Sequence, residues 1–568
     1  MWTAARRGTY RLVPRRACYT YIPPRPPRDL RGKIAALTRR PVFSIVVPIY
    51  DAPTDVLCRL LVSVFAQWYP EWELIFGDDA SHSTATKEYL ARLSDPRIKV
   101  IFGKANRGIS EATNLALQQA TGDYVVFLDH EDELTEDCLY ELAVCIALEE
   151  PDFIYSDEDK VAPNGSFLEP FFKPDWSPDT LMSTMYACHV SCARRRLIEE
   201  VGRLRSEFDG SPDWDLILRI VEKTNRIAHI PRVLYHRRII PSSAAGDLNP
   251  KPYAIDAGRR ARIDALKRRG LSGDLEPVPQ FPGYFRVRYD LVGKPLISII
   301  IPSRDNGATL RRCVESVMER SSYRKFEILI IDNGSTEQAT LDLLLTLARS
   351  DCVTVISHDA PFNFSKLNNI GAEFAKGELL LFLNDDTEVV SAEWLERMGG
   401  FAQLPHVGAV GAKLLYPATR LVQHGGVLNL SDGPVHAFMR QSADAPGYFG
   451  RNLLEFNWIA VTGACMMIER EKFMTVGRFN ENVPIAYNDV DLCFKLIRAG
   501  FFQVLLPGVH LLHHESVSRG KDLASVKKRA RLDRERRMLY VRHPEFFLRD
   551  PFYSPNLAPN SDNFDLAG

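Results

Sequence analysis

The feature that most constrains this chain is that it writes one pattern twice. The segment 44–48 (SIVVP) returns at 298–302 (SIIIP), an offset of 254 (298 − 44), and 73–81 (ELIFGDDAS) returns at 327–335 (EILIIDNGS), again 254 (327 − 73). A third segment, 122–131 (GDYVVFLDHE), returns at 377–386 (GELLLFLNDD), an offset of 255 (377 − 122). Three motifs in one order at nearly one offset mark a tandem duplication of a single unit. At 568 residues the chain is too long for one core, so two units of the repeated kind fit its length.

Within a unit, 44–50 is a short buried strand, and 56–67 spaces Leu57, Leu60, Leu61, Val64 and Phe65 as on one helix face. The segment 73–81 is a second strand that ends on Asp78 and Asp79. Strand, helix, strand with polar strand tips predicts an α/β fold on a mainly parallel central sheet. In the third motif a buried strand runs straight into Asp129, His130, Glu131 and Asp132. In an open parallel sheet that end faces the ligand crevice. Crowded carboxylates repel one another, but they suit a hard divalent cation, Mg2+ or Mn2+, of the kind shared with a substrate phosphate. An acidic turn after a lone strand needs no such explanation. Here the second copy places Asn384, Asp385 and Asp386 at the same point.

The copies stay parallel further on. A Val-Gly-Arg step at 201–203 precedes Asp213-Trp-Asp215-Leu, and one at 476–478 precedes Asp489-Val-Asp491-Leu; each opens an apolar helix and is followed by a strand and histidines, His236 in one half and His513, His514 in the other. Helix capping accounts for Asp215 and Asp491, less well for Asp213 and Asp489. A turn-rich stretch with Gly273, Pro277, Pro279, Pro282 and Gly293 separates the copies. The expected division is therefore a basic, proline-rich arm at 1–40, a first domain at 41–270, a linker at 271–294, a second domain at 295–545 and a tail at 546–568.

Composition removes several classes. A formal net charge of −1 argues against a surface built for nucleic acid. The ten cysteines form no CxxC pair, and nothing near Cys188 and Cys192 completes a zinc site, which fits a reduced cytoplasmic protein. No apolar run is long enough for a membrane span or an export signal. Arginines in the arm (Arg6, Arg7, Arg15, Arg16) and in the helices near 257–270 and 527–542 read either as solvated faces or as peripheral contacts with anionic lipid or phosphate. No G-x-G-x-x-G follows the first strand of either copy, which disfavours an oxidoreductase.

Both halves resemble family 2 glycosyltransferases with the GT-A fold. The resemblance rests on the three repeated motifs, on 155–160 (YSDEDK) and 172–179 (FKPDWSPD) in the first half, and on 410–417, 423–427, 461–465, 488–492 and 513–520 in the second. In these segments the chain is similar to bacterial enzymes that assemble O-antigen, rhamnan or S-layer glycans. The resemblance implies a bifunctional, inverting hexosyltransferase that takes a UDP-, dTDP- or GDP-sugar and extends a lipid-linked glycan at the inner face of the cytoplasmic membrane. It puts Pro48, Tyr50 and Asp79 at the nucleoside, Asn106, Arg107 and Gly108 at the phosphates, and Asp129, Glu131 and Asp132 at the metal in the first unit. In the second it puts Pro302, Arg304 and Asn333 at the nucleotide and Asn384, Asp385 and Asp386 at the metal, with Glu515, Ser516 and Arg519 along the donor; His236 and His514, each placed after the strand that follows the base helix, read either as metal or diphosphate contacts or as structural histidines. Asp213 and Asp489 become the bases that deprotonate the acceptor hydroxyl. Glu131 stands where the family has aspartate. Two alternatives remain: one active unit, the second, with the first holding acceptor, or a nucleotide-binding scaffold without catalysis.

Overall fold

The computed structural model describes residues 19–239, 252–514 and 526–567. The arm's arginines 6, 7, 15 and 16 and the segment with Glu515, Ser516 and Arg519 lie outside these residues. Nine strands form the first sheet: β1 (Phe43–Ile49), β2 (Trp72–Asp78), β3 (Ile98–Phe102), β4 (Tyr124–Phe127), β5 (Glu133–Leu134), β6 (Phe153–Val161), β7 (Phe167–Phe171), β8 (Ser191–Arg194) and β9 (Ile227–Arg238). Their order is β3-β2-β1-β4-β8-β6-β9-β5, with β7 beside β6. The pairs among β3, β2, β1 and β4 are parallel; β8 enters antiparallel and makes the far half mixed.

A hairpin, β10 (Gly273–Pro277) and β11 (Phe285–Tyr289), follows. The second sheet then repeats the first with β12 (Ile297–Ser303), β13 (Phe326–Asp332), β14 (Val353–Ser357), β15 (Leu379–Leu383), β16 (Thr387–Val389) and β17 (Val407–Leu415). It is completed by β18 (Val422–His424), β21 (Phe456–Trp458), β22 (Cys465–Glu469) and β23 (Phe502–His513), while β19 (Val427–Leu430) and β20 (Gly433–His436) form a separate ribbon. Its order, β14-β13-β12-β15-β22-β17-β23-β16, is the first order copied strand for strand.

The repeated sequence motifs have a repeated physical cause. Ser44 on β1 donates its hydroxyl to Glu73 on β2 at 2.6 Å and accepts the Gly122 N–H, just before β4, at 2.9 Å. Ser298, Glu327 and Gly377 repeat this at 2.6 and 2.8 Å. One polar knot thus ties three adjacent strands at the edge opposite the acids. Burial alone would raise the Glu73 carboxyl, but Lys99, Ser44 and Thr121 bring it down to about 2. Glycine is required because a Cβ at position 122 would lie 2.6 Å from the Val42 carbonyl oxygen, and at 377 would lie 2.5 Å from that of Leu296. Backbone strain recurs too: Asp51 and Asp305 both sit at positive φ, 47° and 44°, each accepting N–H groups from the turn after the next strand.

The helix Thr54–Phe65 buries Leu57, Leu60, Leu61 and Val64 as the spacing predicts. Phe65 is the exception; it lies half exposed against Trp72, with Arg97 over its ring.

The stretch read as a linker is not loose. Leu275, Val278, Phe281 and Val287 of the hairpin region are buried in a core that runs from Val46 to Phe564. Its prolines and glycines mark turns, while its apolar residues dock on both halves. The expected tail is likewise a strap: Phe552 and Phe564 are buried, and Asn556 reaches back to donate to Asp157 of β6 at 3.0 Å. Between the halves, Asp179 accepts from the Asn457 amide at 2.8 Å, and the Phe171 and Phe449 rings stack. From the described part of the arm, Tyr19 donates to Asp159 at 2.7 Å. The basic helix Pro252–Arg268 spends its arginines internally: Arg262 is buried over Trp214, and Arg268 pairs with Glu222. Among the described residues no helix is long and apolar enough to cross a membrane, and the nine described cysteines are free.

Gly122→Ala forces backbone apart at the knot and is expected to cost about 1–3 kcal/mol, read as a lower urea midpoint. An unchanged midpoint contradicts the close approach.

Candidate active site

Each parallel half-sheet opens a cleft at the carboxyl ends of its strands. In the second unit a cavity of about 610 Å3 is lined by Pro302, Ser303 and Arg304 from the end of β12, Asn384, Asp385 and Asp386 after β15, and Tyr487 to Val490 at the start of the helix Asn488–Arg498. The structure therefore brings Asp386 and Asp489 into one cavity. Asp385 accepts a hydrogen bond from the Ser303 hydroxyl at 2.7 Å. Asp489 Oδ2 accepts the Gly463 N–H at 2.9 Å and its Oδ1 accepts the Val490 N–H at 2.9 Å, so two backbone amides aim it. Tyr487, which precedes the helix, is held at φ 59°, a costly conformation for a bulky residue and one that clusters at functional sites.

His513, not His514, faces Asp386. Its Nε2 lies 3.0 Å from Asp386 Oδ1, while its Nδ1 lies 2.9 Å from Gln423 Oε1. With the ring proton on Nδ1, donated to Gln423, Nε2 turns a lone pair toward a carboxylate. Two acceptors at this distance need a proton or a cation between them, and an imidazole oriented by a bond at its other nitrogen is the usual form of a metal-ligating histidine. His514 points away, toward Arg312 at 3.1 Å and Glu388 at 3.2 Å, because successive residues at the end of β23 face opposite sides. That corrects the choice of His514; alternation along the strand implies that only one of the two faces the cleft, and the pairing of Thr387 with His513 decides which. A further imidazole, His436 on β20, also lines the cavity and was not read from the sequence. The Thr462 N–H donates to His424 Nε2 at 3.4 Å, which leaves His424 Nδ1 to donate to His436 Nδ1 at 2.7 Å.

The first unit's cavity is smaller, about 320 Å3, lined by Pro48, Tyr50, Asp79, Asn106 and Gly108 together with Asp129, His130 and Glu131. Asp79 accepts the Arg107 and Gly108 N–H groups, each at 2.8 Å, and so fixes the loop assigned to the phosphates. Arg107 contributes this backbone bond; its side chain is not part of the lining. In the second unit Asn333 does the reverse, donating to the carbonyls of His358 and Ala360 at 3.0 and 2.7 Å. The Asp-to-Asn change thus follows the polarity of the neighbouring loop.

Asp132 is withdrawn from the cleft: it accepts from Tyr235 and from the Arg238 N–H, both at 2.8 Å, because β9 pairs alongside and claims it. Burial and the charge of Asp129 push its carboxyl up to about 6. Asp213, at the start of the helix Pro212–Val221, is pushed up to about 6 by burial and then by Asp129. His189, unmarked in the sequence reading, connects them. Its Nε2 is 3.8 Å from Asp129 Oδ2, and its ring, the Asp213 carboxylate and the Cys188 thiol offer atoms within 4.8 Å of one another.

His236 is structural, bonded through Nδ1 to Asp159 and packed against Tyr21. Asp215 and Asp491 are not simple caps. Asp215 is fully buried and pairs with Arg205 and Arg219; Asp491 is fully buried beside His543 and Lys495.

With this geometry in place, comparison with known proteins is informative. The sequence profile of glycosyl transferase family 2 matches residues 44–169 and 298–477, together more than half the chain. The chain belongs to that family. It is 40% identical over 552 residues to the protein y4gI of Sinorhizobium fredii, covering 95% of this chain and 60% of that one. It is 37% identical over 539 residues to the O-antigen biosynthesis protein RfbC of Myxococcus xanthus, covering 94% of this chain and 40% of that one. The chain therefore spans about half the length of these curated relatives. Among solved structures, S. aureus TarS 1-349 in complex with UDP-GlcNAc aligns with 40% of this chain and 66% of its own at 20% identity, with a TM-score of 0.34.

The raised Asp213 carboxyl makes a signed prediction. Its protonated form is favoured in the folded state, so the favourable contribution is present below about pH 4 and lost as pH rises through about 6. Asp213→Asn is expected to raise the urea midpoint at pH 7.5, with the gain shrinking toward pH 4; a gain independent of pH contradicts the crowding.

Proposed function

We propose that the chain transfers sugars from nucleoside diphosphate-sugar donors to a growing bacterial polysaccharide, one transfer in each unit, with inversion at the anomeric carbon. The observation that carries this is that Asp386, His513 and Asp489 line one cavity, with His513 3.0 Å from Asp386. The relative RfbC is named for O-antigen biosynthesis, which supports a surface-glycan acceptor.

In this reading Pro302, Ser303 and Arg304 border the nucleotide, and Asn384, Asp385, Asp386 and His513 are the residues that would hold Mg2+ or Mn2+. The donor set fits such a cation, being oxygens with one imidazole nitrogen whose opposite side is already bonded. When bound, the ion supplies charge stabilisation to the leaving diphosphate. Asp489 accepts the proton of the attacking hydroxyl; the Gly463 and Val490 amides hold its carboxylate on the cavity wall. The apolar side chains of Phe362, Phe364, Val427 and Ile485 exclude water around it.

In the first unit Asp213 is the corresponding base. Raised to about 6, it is ionised at neutral pH yet basic enough to take a proton. That unit's smaller cavity favours a second reading, in which it holds acceptor while the second unit reacts. One experiment decides between them. Against a panel of nucleotide sugars, Asp489→Asn and Asp213→Asn are each expected to lower a distinct transfer by about 10²–10⁴-fold, the usual worth of a positioned base. If one substitution leaves every transfer intact, that unit is not catalytic.

A further inference from the structure

The two sites differ at the place where a cation would sit. On the sheet, Glu133 of β5 pairs with His236 of β9, so Asp132 faces Arg237 one step outward. In the second unit Thr387 pairs with His513, and Thr387 follows Asp132 by 255 (387 − 132), the offset of the surrounding motif. Arg237 therefore stands where the second unit has His513. A second exchange lies beside it. Phe127 of β4 pairs with Ser191 and Phe382 of β15 with Met466, so two steps outward His189 stands where the second unit has Ala464.

Both exchanges put positive or protonatable groups beside the first unit's acids, behind the cavity lining. Arg237 Nη1 lies 3.6 Å from Glu158 Oε1, and its charge acts on Asp129, Asp132 and Asp213. His189 lies between Asp129 and Glu158, at 3.8 and 3.6 Å. Meanwhile Asp132, which the resemblance puts at the metal beside Glu131, is bonded to Tyr235 and the Arg238 amide. A divalent ion here meets a fixed guanidinium at the register position where the second unit offers the His513 imidazole.

We propose that the first site supplies its own cation: Arg237, flanked by His189, takes the position that Asp386 and His513 reserve for a divalent ion in the second, so that the first site meets a nucleoside diphosphate without metal. The assignment rests on the reading of both clefts as nucleotide-sugar sites. A planar guanidinium matches a diphosphate's oxygens through paired N–H donors, and unlike an ion it need not be recruited. The consequence is one chain with two transferase clefts of different chemistry, only one of them sensitive to chelation.

The test is a count of bound Mn2+ by the loss of the free-ion EPR signal, on the full chain, joined to calorimetric binding of UDP in EDTA. The expected result is one Mn2+ per chain, retained in Asp129→Asn and lost in Asp386→Asn. In EDTA, UDP is expected to bind Asp386→Asn, to weaken at least tenfold on adding Arg237→Gln, and to recover in part with Arg237→Lys. The Mn2+ count of Arg237→Gln alone reports whether the fold survives. Two ions per chain, or an ion lost with Asp129→Asn, overturns the proposal, as does UDP binding in EDTA that ignores Arg237. A wild type that binds no Mn2+ while UDP binding in EDTA still follows Arg237 overturns the metal assignment of the second site and supports this one.

Discussion

Everything about the clefts follows from carboxylates gathered where a parallel sheet cannot pair them. Strand ends leave the backbone polar and the side chains facing outward, and this chain fills that edge with acids from two elements, a strand tip and a helix start. In the first unit burial, and after it the charge of Asp129, pushes both Asp132 and Asp213 up to about 6. Such a cluster persists only if something positive, or a reaction that needs a poised base, compensates it. The neighbours of the acids differ between the units: His513 lies 3.0 Å from Asp386 in one, and Arg237 lies 3.6 Å from Glu158 in the other.

At the opposite edge, the Ser-Glu-Gly knot holds the same three strands in register in both halves, and so fixes where the acidic edge must fall. Its residues are the ones the repeated motifs expose. That is why so much of the fold was legible: a hydroxyl, a carboxylate and a glycine with no room for a Cβ form one interaction, and none can change alone. Asp129 and Asp386 could be placed for the same reason, since each ends a strand whose start the knot pins.

What was not legible lies where tertiary contact overrides local signal. Gly273, Pro277 and Pro282 read as a linker, yet Leu275 and Phe281 between them are buried in a core shared by both halves. Asp215 and Asp491 read as caps, but Arg205 and Arg219 take the first, and His543 from 52 residues further along takes the second, into ion pairs. His513 and His514 are neighbours in sequence and opposites in space, and only the register of β16 against β23 separates them. His189 and Arg237 carry no motif at all; their importance emerges from aligning strand pairings between the halves rather than residues along the chain. The polarity of the Asp79 and Asn333 loops belongs to this class, because whether a side chain must donate or accept depends on which backbone groups the loop turns inward.

The central claim, that the edge bounded by Asp386, His513 and Asp489 is where a donor diphosphate is gripped, is tested most directly by anomalous diffraction at the manganese edge from crystals soaked with Mn2+ and UDP. The account predicts a peak between Asp386 and His513, with the diphosphate against it and the nucleoside beside Pro302. Nucleotide density elsewhere on the second unit, or a peak that does not touch Asp386, would contradict it.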